Sequence, residues 1–84
     1  MEQARKIQNI VGPQIRKLRY QQELKQEELA ARCGILGWDL SRGTLSKIEA
    51  RLRCVTDIEL EILAKALRIE IGGLFLSADK ETKL

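Results

Sequence analysis

Histidine is absent from the 84 residues, proline occurs once, at Pro13, and cysteine twice, at Cys33 and Cys54. Two thiols without a histidine fall short of the ligand sets that hold structural zinc, so no metal and no other cofactor is expected. The missing histidine also removes the commonest general base. No phosphate-binding glycine loop and no nucleophile with a base is visible, so the chain is not expected to be an enzyme. Glu27 and Glu28 are adjacent on an exposed helical stretch and read as first-turn acids favoured by the helix dipole, not as a catalytic pair. Long hydrophobic runs are missing too, so no membrane span and no secretory signal is visible. The expectation is a reducing cytoplasm with both thiols free. Cys33 falls at an apolar helical position and reads as a small core residue.

What is present suits one small folded domain. Hydrophobic residues make up 44% and charged residues 32%, enough for a single modest core. The net charge of +3 is too small to argue for nucleic acid. Its distribution says more. Between Ser41 and Arg53 lie the bases Arg42, Lys47, Arg51 and Arg53 with Glu49 the lone acid, whereas Thr56 to Leu63 holds Asp57, Glu59 and Glu61 and no base. A basic face and an acidic face orient a protein on a polyanion.

No Ser/Gly-rich linker or repeat divides the chain. Residues 1–11 read as an arm or short helix with Ile7, Ile10 and Val11 at helical spacing, residues 12–76 as the folded domain and residues 77–84 as a tail. Gly12-Pro13 opens a first helix, since proline suits a first turn; Ile15 and Leu18 face inward, and the helix ends between Tyr20 and Glu23. Leu24 tucks the turn into the core. A second helix starts near Gln26 and buries Leu29, Ala30 and Cys33. A third starts at Ser41, whose hydroxyl can cap it, and buries Leu45 and Ile48. Ala50 to Val55 is a basic loop. Thr56, with Glu59 three residues on, makes the capping box of a fourth helix, inside which Ile58, Leu60, Ile62, Leu63, Ala64 and Leu67 are apolar. A last short helix around Glu70 to Leu76 closes the core with Ile71, Leu74 and Phe75, although Gly72-Gly73 weakens it. The fold class is all-α, with five helices and no strand.

The second and third helices follow one another as a helix-turn-helix reading head, in which one helix braces and the next enters the major groove. From Ile15 to Phe75 the chain resembles the DNA-binding domain of phage lambda-type repressors and Cro proteins. The resemblance is carried by Ile15-Arg16-Lys17-Leu18-Arg19, Leu24, Gln26-Glu27-Glu28-Leu29-Ala30, Thr44-Leu45-Ser46-Lys47-Ile48-Glu49, Leu63-Ala64-Lys65-Ala66-Leu67 and Leu74-Phe75. It implies that Gln26 anchors a DNA phosphate beside the amides of its helix N-terminus. Its alternative is an exposed first-turn residue. Arg42, Gly43, Ser46 and Lys47 share the outward face of the third helix, opposite Leu45 and Ile48. Arg42 or Lys47 would take a guanine edge, worth about 1–3 kcal/mol of discrimination. Ser46 has no fixed base preference. Gly43 reads no base; it either lets the backbone approach DNA or sits in a loosely held turn. Ser41 and Thr44 fall on the phosphate side or buttress the turn. Arg51 and Arg53 take phosphate or remain in a solvated loop. Arg16 and Lys17 read as solvated. Arg19 and Glu49 match a largely buried salt bridge of the family, structural rather than reading.

Two features depart from the family pattern. Gly34 to Ser41 is longer than the usual turn of about four residues, with the second helix expected to run to Gly37 as its C-cap and Leu40 returning to the core. Within this stretch Trp38, the only tryptophan, reads as a hydrophobic plug in preference to a DNA contact. Ala50 stands where the family often has asparagine. The function implied is a sequence-specific transcriptional regulator, a repressor that binds palindromic double-stranded DNA as a homodimer. The N-terminal arm (Ile7, Ile10, Val11) and the C-terminal end (Leu74, Leu76, Leu84) are the candidate dimer surfaces. The alternative is an antitoxin or other protein-interaction module on the same fold, with a toxin or co-regulator as its partner.

Overall fold

A computed structural model describes residues 8–75, which hold four α-helices and one 3-10 turn, with no strand among the described residues. The helices are α1 (Gly12–Gln21), α2 (Gln26–Ile35), α3 (Arg42–Glu49) and α4 (Asp57–Ala66), and the 3-10 turn covers Ile71–Phe75. The expected readings of Ile7, Leu76, Leu84 and the 77–84 tail lie outside the described residues.

Side chains close the helix starts. Ser41 Oγ accepts the Thr44 amide at 3.0 Å. Thr56 Oγ1 accepts the Glu59 amide at 3.2 Å while the Thr56 amide donates to Glu59 Oε1 at 3.0 Å, so both orphan donors are satisfied. The Lys25 amide donates to Glu28 Oε1 at 2.7 Å at the head of α2. All four helices end alike. The residue after each C-cap is left-handed: Glu23 (φ 58°), Gly37 (φ 103°), Arg51 (φ 67°) and Arg68 (φ 61°). The next amide then reaches back to the helix, as Trp38 does to the Cys33 carbonyl at 2.9 Å and Ile69 to the Ala64 carbonyl at 3.0 Å. These are Schellman motifs. The end of α2 therefore differs from expectation: the helix stops at Ile35, Leu36 is its C-cap, and Gly37 is the left-handed residue beyond it.

The core is built from Ile15 of α1, Leu29 and Cys33 of α2, Leu45 and Ile48 of α3, and Leu63 and Leu67 from α4 and its C-cap, all fully buried. Leu40 and Leu74 complete it from the connections, and Leu18, Leu24 and Trp38 pack against it. Burial pushes the Cys33 thiol up to about 11, so it stays a neutral core residue. Cys33 is buried and Cys54 exposed, both as free thiols.

Four expectations need correction. The fifth helix is a short 3-10 turn, closed by the Gly73 amide on the Glu70 carbonyl at 2.8 Å; adjacent glycines do not sustain an α-helix. Ile71, expected to close the core, stays 45% exposed; Ile58, for which no burial was expected, is 66% exposed. Ile58 sits about half a turn off the Leu60-Leu63-Ala64-Leu67 stripe, so burying that stripe turns Ile58 outward. Val11 is not free for a dimer surface: it lies one turn before Ile15 on the same face and is buried in the core. Leu74 is equally unavailable, buried where Gln14 Nε2 donates to the Gly73 carbonyl at 3.1 Å.

Candidate nucleic-acid interface

The arrangement starts from α3. With Leu45 and Ile48 fully buried, helical periodicity turns Arg42, Gly43, Ser46 and Lys47 outward, and all four are exposed. Thr44 is half-buried and its Oγ1 accepts from Ser41 Oγ at 3.0 Å, so in the free protein these two hydroxyls serve the helix start. Space beside Gly43 is open: a Cβ added there would have Ser41 Oγ as its nearest neighbour, at 4.0 Å. Arg42 Nε lies 3.9 Å from Glu27 Oε1, with both side chains about two-thirds exposed. Such a pair contributes little and leaves Arg42 available.

An open cleft of about 390 Å³ lies between α1, α2 and α3, with Arg16, Lys25, Gln26, Arg42 and Ser46 on its walls. It joins Arg16 and Lys25 to the basic end of α3. Lys25 was not legible as part of this surface, because its position depends on how α2 leans on α3.

The Arg19–Glu49 pair stands at the back of the cleft. Arg19 Nε and Nη2 meet the two Glu49 oxygens at 2.7 and 3.0 Å, and Nη1 donates to the Leu24 carbonyl at 2.8 Å. Both side chains are more than nine-tenths buried. Gln26 Nε2 donates to Glu49 Oε1 at 3.1 Å, so in the free protein its amide joins this network.

Arg51 and Arg53, both half-buried, have hydrogen-bond partners within the protein. Arg51 Nε donates to the Asn9 carbonyl at 3.0 Å. Arg53 forms a two-pronged pair with Glu59 at 2.9 and 3.1 Å, and its guanidinium lies 5.9 Å from the Trp38 ring centre.

Asn9 is the residue that sequence reasoning missed. Its Oδ1 accepts the Gly12 amide at 2.7 Å, and its Nδ2 donates to the Arg53 carbonyl at 2.7 Å and the Ile48 carbonyl at 3.2 Å. It thus ties the start of α1 to the end of α3. Its bond to the amide three residues on has the spacing of a capping bond, but Asn9 lies two residues before the cap position at Val11, so no helix-start rule pointed to it. Gly12 permits the same approach, because a Cβ there would collide with the Ile48 carbonyl oxygen and come within 3.0 Å of the Glu49 carbonyl oxygen.

Among the described residues, no group of three His, Cys, Asp or Glu side chains is placed to hold a metal, and no helix is long and apolar enough to cross a membrane. No curated protein and no solved structure matches the chain. The helix-turn-helix family does match, over residues 15–74, a span that runs from within α1 to the 3-10 turn and includes the whole of α2, α3 and α4. By this match, which covers most of the chain, the protein belongs to the lambda-repressor/Cro-like helix-turn-helix family.

Proposed function

We propose that the protein is a sequence-specific transcriptional repressor that places α3 in the major groove of a two-fold-symmetric operator as a homodimer. The observation that carries this is the outward face of α3: Arg42, Gly43, Ser46 and Lys47 are exposed together on a helix whose opposite face is fully buried. Arg42 and Lys47 are the guanine-reading candidates. Gly43, with open space around it, allows the backbone close to a base edge. Gln26, Ser41, Thr44 and Arg51 meet phosphate, with the α2 N-terminus adding its dipole. One eight-residue recognition helix reads few bases, which is why two copies are required. Ile35 to Leu40 is read as an insertion relative to the family's turn, plugged by Trp38. The protein works as a regulator, not an enzyme, in the cytoplasm.

A second reading, a partner-binding module such as an antitoxin, is favoured by one observation. A shallow groove of about 470 Å³ on α4 sets Ile58, Ile69 and Ile71 among the charged side chains of Asp57, Glu61 and Lys65, a mixed surface with apolar residues that the core does not bury. Selection from a random DNA library at near-physiological salt tests both. Enrichment of a two-fold-symmetric motif supports the operator reading and gives the half-site spacing. Weak, salt-sensitive binding without a motif overturns it in favour of the partner-binding module.

A further inference from the structure

Arg53 joins three parts of the fold that meet behind α3. Its guanidinium grips Glu59 in the first turn of α4 through two hydrogen bonds, and Nη1 also donates to the Cys54 carbonyl at 2.9 Å. It faces the ring of Trp38, which belongs to the connection between α2 and α3. Its own carbonyl accepts from Asn9, whose amide is shared with the Ile48 carbonyl in the last turn of α3. The Glu59 side chain is 16% exposed and that of Arg53 35%.

These partners change what the charge of Arg53 can do. Its positive charge is matched at close range by one carboxylate in the planar geometry that suits a guanidinium best. A phosphate that captured it would leave Glu59 unpaired, largely buried and close to a second anion, which is unfavourable on each count. We propose that Arg53 is a positioning residue: with Trp38, Glu59 and Asn9 it closes a clasp that sets the angle of the recognition helix, and it does not bind DNA phosphate. The inference rests on α3 reading DNA.

The two roles predict opposite signs for one substitution. Glu59→Gln keeps a capping-box side chain but removes the charge that holds Arg53. If Arg53 bound phosphate, this change would free it and tighten binding. If it closes a clasp, the change loosens α3 and weakens binding. Arg53→Lys is the companion variant, because lysine keeps the charge and loses the two-pronged grip. Affinities for the wild-type protein's own library-selected site and for random duplex DNA are measured across salt, well below each variant's melting temperature.

Both variants are expected to lower affinity for the selected site by about tenfold. Random-duplex affinity and the salt slope should not change. Tighter binding by Glu59→Gln, or a wild-type ratio of selected to random DNA in Arg53→Lys, overturns the clasp alone. So does an Arg53→Gln slope reduced by about one phosphate, roughly 0.9 in log–log units. A wild-type protein that selects no site overturns the DNA-reading proposal, and this inference with it.

Discussion

Arg19 and Glu49 form a buried two-pronged ion pair that links α1 to the last residue of α3, with contacts of 2.7 and 3.0 Å. Gln26 adds a third donor to the same carboxylate at 3.1 Å, so α1, α2 and α3 share one polar junction. The cations that line the cleft in front of it are Arg16, Lys25 and Arg42. The junction therefore sets where the basic surface faces.

Breaking one partner leaves the other charge buried. Arg19→Met is expected to lose roughly 3–5 kcal/mol of folding stability, read as a lower urea midpoint. Replacing both partners with apolar residues of similar volume should recover most of that loss. An unchanged melting temperature in Arg19→Met would contradict the role given to the pair.

Two glycines should respond oppositely to alanine. Gly12→Ala drives a methyl group into the Ile48 carbonyl and is expected to cost about 1–3 kcal/mol. Gly43→Ala meets open space and should gain about 0.5–1 kcal/mol of helix stability. If the backbone at Gly43 approaches DNA, the stabilised variant will also bind its selected site more weakly. Unaltered binding would remove Gly43 from the interface.

Arg68 occupies the left-handed position after α4 at φ 61° and is exposed. Arg68→Gly should therefore stabilise the fold, by about 0.5–1 kcal/mol once glycine's own entropy is subtracted. Arg51→Gly should not show this gain, because it also removes the bond from Arg51 Nε to the Asn9 carbonyl. Chemical denaturation of the two variants side by side checks the difference.

The hydrogen bond from Arg53, aided by the Thr56 amide, holds the Glu59 carboxyl below its usual range against an opposing effect of burial. A depressed folded pKa means that the ionised form is stabilised by folding. That contribution is complete above the unfolded value of about 4.3 and is lost as pH falls through it toward the lower folded value. Glu59→Gln should thus flatten the decline of stability between about pH 5 and pH 3. Parallel acid curves for wild type and variant would rule out this coupling.

Short-range patterns carried much of the fold into view. Ser41 and Thr56 start helices because their hydroxyls reach an amide three residues on. The apolar spacing of Leu29 and Cys33, and of Leu45 and Ile48, placed two helices against one core. The same spacing turned Arg42, Ser46 and Lys47 outward. The partners of Arg53 were not legible: Glu59 lies six residues away across a loop, and Trp38 fifteen residues back on a different connection. Asn9 reaches Ile48 and Arg53 across 39 and 44 residues, and no periodicity encodes such distances.

By itself the sequence determined what local rules can decide: an all-helical chain, the helix starts, the buried stripes and the basic outer face of the third helix. These follow from neighbours three or four residues apart, whose geometry is the same in any helix. Only the tertiary structure decided that Gly12 must lack a side chain, that Asn9 ties the start of α1 to the end of α3, and that Arg51 and Arg53 have partners elsewhere in the fold. Each depends on how closely and at what angle separate helices meet, and that is set by packing the whole core at once.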